Sequence, residues 1–477
     1  MLAYAAGSAP GQTPAPSAPP DAPRTTWTLR NTTRTEMWRF FEPPPGGGDN
    51  EYVYAANRLL AGVRRTTRRV DATAAIQYVH FGGLPDAAVG PGPLGAGAVY
   101  FAHAGRSDSH QVYLRYLNLR VTNLPGGISV QAGRMPYTSG AESASNNPKI
   151  EAVKRQRVDA RLVGEFEWSL YQRSFDGVRL DVARPSWSAT ALALQPTQGG
   201  FEDAAGLMMK DVHVHVLGAS ATLRPGVLLP GAEWQVFSFR YLDDRRVTGR
   251  PDNTGRPAAR ADIRVDSFGT TLVAASAPRG GRQWDGLLWV VGQRGSWYEQ
   301  RHRAFSIAAE GGHQWSQGPW RPWLRAGMLR ASGDDDPADQ RHGTFFEMLP
   351  TVRRYSQTAS YAQMNSTDLF GQVLLRPVAP LGVRIDLHRI GLASARDLWY
   401  GGSGATQARG ATFGFSTRPS FGATRLGTVV EGSVDYTVSR RWSVNGYLGV
   451  MRGGDVIRPA FAGRTLTFGY VENILQF

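Results

Sequence analysis

Apolar and polar side chains alternate along most of the chain with a period of two. In GVRIDLHRIGL, residues 382–392, Val383, Ile385 and Leu387 share one face of an extended segment, and Arg384, Asp386 and His388 share the other. Val178, Leu180 and Val182 oppose Arg179 and Asp181, and Phe237, Phe239 and Tyr241 oppose Val236, Ser238 and Arg240. A longer run places Leu426, Thr428, Val430, Gly432, Val434, Tyr436 and Val438 against Glu431, Ser433, Asp435, Thr437 and Ser439. Strands of soluble proteins cluster near five or six residues, whereas tilted membrane strands need roughly 9–11. This pattern asks for oil on one side and water on the other. Apolar residues at helical spacing are scarce, and a short helix is expected only over Ala152–Arg161.

The connections come in two sizes. Short ones fall at Pro380-Leu381 and at Ser439-Arg440-Arg441. Long, polar, Gly- and Asp-rich ones cover 242–262, 331–343 and 399–424. Alternating short and long connections describe an up-and-down barrel, with tight turns at one rim and long loops at the other. About 450 residues at roughly 25 per strand and connection give about 18 strands, an even number as such barrels require. The expected fold is therefore all-β: a transmembrane up-and-down antiparallel β-barrel over residues 25–477, with no internal domain boundary.

Residues 1–24 read differently. Ala3-Tyr4-Ala5 fits a small-x-small cleavage pattern, and residues 7–23 form a Pro/Ala/Ser tract that cannot build a core. We expect a signal remnant followed by a disordered leader. At the other end, Leu475 and Phe477 share a face with Val471, while Leu466, Phe468 and Tyr470 lie on the opposite parity. A bulge is expected to reconcile the two halves. A terminal Phe477 after a β-like segment resembles the C-terminal signal of Gram-negative outer-membrane proteins.

Composition narrows the chemistry. Cysteine is absent from all 477 residues, which excludes disulfides, thiolate nucleophiles and cysteine metal sites. The mean hydropathy of −0.32 is compatible with a membrane barrel, because lipid-facing and lumen-facing residues cancel in any window. Of 53 basic residues only Lys149, Lys154 and Lys210 are lysines, so 50 (53 − 3) are arginines, and the net charge is +14. An arginine facing lipid at the midplane costs roughly 2–4 kcal/mol, against a net stability of about 5–15 kcal/mol. Arginines of the strands must therefore face the lumen, sit in loops or snorkel at the rims, and Arg179, Arg240 and Arg384 are candidates for the lumen. Arg–carboxylate pairs would make such a lumen rigid; a surplus of cations would also make it attract anions.

Several stretches resemble the alginate export family of outer-membrane porins. They are RHGTFFEMLPTVRRY at 341–355, MNSTDLF at 364–370, Asp386-Leu387-His388, Arg396-Asp397-Leu398-Trp399-Tyr400, Gly133-Arg134 and RSFDGVRL at 173–180. They occur in order between about residue 130 and residue 400, and it is the ordered set that is specific. The resemblance, which is to the broad family, implies a monomeric 18-stranded barrel and passive export of a polyuronate through an arginine-lined constriction. It implies Arg134, Arg155, Arg157, Arg161, Arg179, Arg353, Arg354 and Arg384 as lumen cations. Asp176, Asp181 and Asp386 are implied as their partners or as gate carboxylates.

Other signals are weaker. His213 and His215 share a strand face and read as polar lumen residues sooner than as a zinc pair. Asp334-Asp335-Asp336 with Asp339 could bind calcium but more commonly marks a solvated loop. Gly46-Gly47-Gly48 is a turn. The arginines are interleaved in strands, so no nucleic-acid module is indicated. The expectation is thus a non-enzymatic channel without cofactor or metal in the cell outer membrane. Its expected partners are outer-membrane lipid, an anionic polysaccharide or small anionic solute, and periplasmic export components. The alternatives are a general or nutrient-specific porin for small anionic solutes, and a secreted carbohydrate-binding β protein.

Overall fold

A computed structural model describes residues 22–477, apart from 87, 90–99, 102–103, 198–210, 248, 258–259, 352–354, 359–360 and 403–414. The first strands are β1 (Arg24–Arg39), β2 (Glu51–Thr66), β3 (Val70–Gly82), β4 (Ser109–Leu124), β5 (Ile128–Met135) and β6 (Phe175–Ala183). There follow β7 (Trp187–Pro196), β8 (Val214–Leu223), β9 (Ala232–Asp243), β10 (Ile263–Ala275), β11 (Arg282–Trp297) and β12 (Gln300–Trp315). The wall is completed by β13 (Trp323–Ala331), β15 (Ser366–Val378), β16 (Leu381–Leu392), β19 (Arg425–Thr437), β20 (Trp442–Gly453) and β21 (Thr465–Gln476). Each pairs antiparallel with its chain neighbours in the wall. Thr35 of β1 faces both Ala55 of β2 and Val471 of β21, so the sheet closes on itself as an 18-stranded barrel.

The connections alternate as expected. One rim carries turns such as 67–69, 125–127, 184–186 and 438–441; the other carries 83–108, 136–174, 244–262, 332–365 and 393–424. The exception is β11–β12, joined by residues 298–299 alone at the long-loop rim. The long connections hold a helix, α1 (Pro148–Arg157), the two-residue β14 (Arg341–His342) and a hairpin of β17 (Trp399–Gly402) and β18 (Phe415–Arg418). Helix α1 begins earlier than expected. The Asn147 side chain accepts from the Lys149 and Ile150 amides, and Pro148 takes the first helical position, where its missing N–H costs nothing.

Outside, the alternation behaves as oil-facing. Ile385, Leu387, Val430, Val434 and Tyr436 are exposed, while Asp386, His388, Glu431 and Ser433 of the same strands are buried. Trp27, Trp187, Trp234, Trp284, Trp320 and Trp442 are also exposed, and all lie at the short-turn rim, where amphipathic rings suit a membrane interface.

Inside, the lumen is far from empty. Segment 136–174 and the described residues of 343–365 fold into it and bring their own apolar side chains. Tyr241 packs on Phe346 at 4.9 Å between centroids, and Phe468 on Trp168 at 6.1 Å. This reverses three expectations. Phe239 and Tyr241 face inward and Arg240 outward, three residues from the end of β9, where its Nε lies 2.6 Å from Asp266. Strand β21 pairs without a bulge: Leu466, Phe468 and Tyr470 cover the inner wall, and Val471, Leu475 and Phe477 face out. His215 is exposed on the outside, and His213 precedes β8 at φ +58 with Nδ1 3.2 Å from Asp244; neither is a lumen residue.

Candidate functional site

The inward segments are fastened to the wall by ion pairs. Helix α1 lies against β9–β12. Lys154 Nζ reaches Glu233 of β9 at 2.6 Å, and Lys149 Nζ reaches Gln314 at 2.7 Å and Asp285 at 3.3 Å. Arg157 Nε donates to Glu310 of β12 at 2.8 Å and Arg161 Nη2 to its other oxygen at 3.0 Å. Arg325 of β13 joins both carboxylates, pairing with Asp285 and with Glu310 at 3.2 Å. Four cations thus share Asp285 and Glu310. Arg157 and Arg161 also stack on Tyr355 of the second inward segment, at 5.1 and 4.3 Å. Their Nη1 atoms are buried and find no acceptor among the described residues.

The rest of the polar wall is knit more evenly. Arg134 and Asp176 are cross-strand partners on β5 and β6 and form a two-pronged pair, both bonds 2.8 Å. Arg179 and Arg120 share Asp181, at 2.8 and 3.1 Å. Arg384 pairs with Asp386 and donates to the Tyr355 carbonyl at 3.3 Å. Glu431 beside them accepts from Ser356, from the Gln357 and Thr358 amides and from Tyr447, at 2.9–3.1 Å. It therefore ties the second inward segment to β19. On β4 a bulge turns both Arg115 and Tyr116 inward, where they meet Glu165 of the first segment. Close approach of β4, β5, β6 and β7 depends on Gly133 and Gly177, which face each other at φ +110 and +154. A Cβ on either would run into a neighbouring carbonyl, of Leu117 or Ala193.

The structure therefore brings Arg134, Arg157, Arg161, Arg179 and Arg384 into the lumen network with Asp176, Asp181 and Asp386. Arg155 stands apart on the exposed side of α1, paired with Glu151 at 2.7 Å. Arg353 and Arg354 lie outside the described residues. Sequence reasoning missed Arg115, Arg325, Asp285, Glu310 and Glu431. Parity alone would have placed Glu310 and Glu431 inward, opposite Ile307 and Ala309 and opposite Val430, but nothing local tells that they receive cations from loops far along the chain. Asp386, His388 and Glu431 could together hold a metal ion by distance. However, Asp386 is already engaged by Arg384, and His388 Nδ1 lies 2.9 Å from Asp368.

A closed 18-stranded barrel with an apolar outside, an aromatic rim and a charged, segment-filled lumen is an outer-membrane porin. The alginate export family model matches residues 152–468, and the chain belongs to that family. Solved structures of similar fold include OccK9 (OpdG) of Pseudomonas aeruginosa, with a TM-score of 0.59 and 10% identity over 95% of this chain and 98% of that one. OccK2 (OpdF) of the same organism in complex with glucuronate has a TM-score of 0.57 and 9% identity, over 95% and 98%. OccAB1 of Acinetobacter baumannii has 0.56 and 8%, over 98% and 99%. At these identities the likeness is one of fold. No curated protein matches the chain in a sequence comparison.

Proposed function

We propose that this porin passively conducts carboxylated saccharides, an alginate-like polyuronate being the substrate the family suggests, by exchanging their carboxylates between lumen guanidinium groups. The observation that carries the reading is the cluster around Glu310. Arg157, Arg161 and Arg325 share one carboxylate, and Nη1 of both Arg157 and Arg161 is left without an acceptor among the described residues. Spare guanidinium donors match a carboxylate two-pronged, and a shift of the inward segments would open these buried ones to the lumen. Shared rather than exclusive partners keep each site weak, as transport through several sites needs. No covalent step is invoked, and a monomer suffices. A gradient sets the direction of flow.

The second reading, a porin for small anionic solutes, is favoured by the filling of the lumen by segments 136–174 and 343–365. The glucuronate complex named for OccK2 makes that monomer the first solute to try. A secreted carbohydrate-binding protein does not suit a closed barrel with an oil-facing exterior. The test is single-channel recording in planar bilayers with glucuronate, then oligo- and polyuronates of rising length. Anion preference, and current block by uronates that weakens in Arg161→Ser and Arg384→Ser, is expected. Cation preference, or block unchanged in both variants, overturns the proposal; block by the monomer but never by chains selects the second reading.

A further inference from the structure

The outer wall carries a second arginine array that the lumen reading does not use. Cross-strand register places Arg240 of β9, Asp266 of β10, Arg294 of β11 and Arg303 of β12 in one row. The row above it holds Arg264, Ser296 and Arg301, with Arg341 of β14 beside Arg301. All six arginines are exposed, on the face turned away from the lumen. The two rows lie at the long-loop rim, which in such barrels is the extracellular one. Below them the outward positions of the same strands are apolar: Leu288 and Val290 on β11, Phe305 and Ile307 on β12, Phe268 on β10. The array begins where the oil-facing band ends.

Within the array the charges do not balance. Six arginines face Asp266, which pairs with Arg240, and Asp262, which lies 3.8 Å from Arg264. Arg301, Arg303 and Arg341 make no ion pair with any described residue. Arg294 and Arg303 are direct cross-strand partners, and like charges so placed repel. The Arg294 guanidinium sits 5.0 Å over the Phe268 ring, held at the edge of the apolar band. Such an arrangement is stable beside lipid when an external anion bridges the guanidinium groups, with its hydrocarbon lying on the band beneath.

We propose that this ledge between β9 and β14 binds the phosphorylated headgroup of an outer-leaflet glycolipid, its phosphate bridging Arg294, Arg301 and Arg303 and its acyl chains resting on Phe268 and Phe305. Phosphate is favoured over carboxylate by its charge and its three acceptor oxygens, which planar guanidinium forks can grip together. A lipid is favoured over a free ion because the cations stand directly on an apolar strip.

Native mass spectrometry of the detergent-solubilised full chain tests this, with diphosphorylated lipid A, the same lipid dephosphorylated, and inorganic phosphate as probes. Retention of the diphosphorylated lipid is expected, falling about tenfold in Arg294→Ser/Arg303→Ser. Arg39→Ser should leave retention unchanged, since that arginine is an outward one at the same rim on β1, paired with Glu51. Both variants alter exposed side chains, and unchanged heat-modifiable migration verifies their folding. Equal retention of the dephosphorylated lipid, equal retention by the double variant, an equal fall in Arg39→Ser, or full displacement by millimolar inorganic phosphate would each overturn the proposal. Because the ledge is outside the barrel, uronate block should be the same in the double variant, so this test and that of the conduction proposal fail independently.

Discussion

Replacing Glu310 with glutamine separates anchoring from selectivity. The change keeps the shape of the side chain and removes the charge that Arg157, Arg161 and Arg325 share at 2.8, 3.0 and 3.2 Å. Breaking a buried ion pair from one side costs about 3–5 kcal/mol. The barrel should survive that loss, because the backbone pairing of Glu310 with Leu287 and Gly327 does not depend on the side chain. The loss falls instead on segment 136–174, which stays tethered through Lys154–Glu233 and Lys149–Gln314. Arg157 and Arg161 should loosen while the start of α1 holds. The lumen also gains one positive charge. For an ion passing about 7 Å away in water, that is worth about 0.6 kcal/mol, and about half as much once salt screens it. Anions gain and cations lose by that amount, so the anion-to-cation permeability ratio should rise roughly two- to three-fold. Planar-bilayer reversal potentials under a KCl gradient measure the ratio, and hydrogen exchange measures residues 148–161. An unchanged ratio together with unchanged exchange would refute the account of Glu310 as both clamp and partial neutraliser.

Three further outcomes follow from the wall and the loops. Val430→Arg, on the oil-facing side of β19, should destabilise the folded barrel by roughly 2–4 kcal/mol, read as a lower unfolding temperature in detergent; an unchanged temperature would contradict the assignment of faces. Gly177→Ala, whose Cβ would meet the Ala193 carbonyl at φ +154, should cost about 1–3 kcal/mol, and the same melt decides it. Burial, with Asp397 and Asp339 adding to it, pushes the Asp334 carboxyl up to about 6 in the long-loop connection 332–365. Its folded value is above the ordinary 3.8, so its contribution to docking is full below about pH 4 and is lost as pH rises through 6. The contact between this loop and 393–398, where the Asp334 amide donates to Asp397 and Ser394 donates to the Asp334 carbonyl, should therefore be cut faster by protease at pH 8 than at pH 5. Asp334→Asn should remove most of the difference; an equally pH-dependent Asn variant would place the titration elsewhere.

How far the sequence reached depended on the range of the interactions involved. Period-two alternation is imposed by the pleat of a single strand, so strands, their lengths and the alternation of short and long connections were legible without coordinates, and with them the barrel and its 18 strands. Neighbouring residues also sufficed for Arg179 with Asp181 and Arg384 with Asp386, which share a face two positions apart. What the pattern left undetermined was which apolar face meets lipid. Phe239, Tyr241, Phe468 and Tyr470 are apolar and face inward, because segments 136–174 and 343–365 cover the inner wall with side chains of their own. Arg240 consequently lies outside. A short helix was expected over Ala152–Arg161, but neither its start at Asn147-Pro148 nor its place against β9–β12 was read from the sequence. Glu310, Asp285 and Glu431 acquired their roles only when connections distant in the chain folded back into the lumen. Local geometry fixes each residue's side of its own strand; only closure of the barrel and docking of its inward segments decide whether that side meets lipid, water or protein.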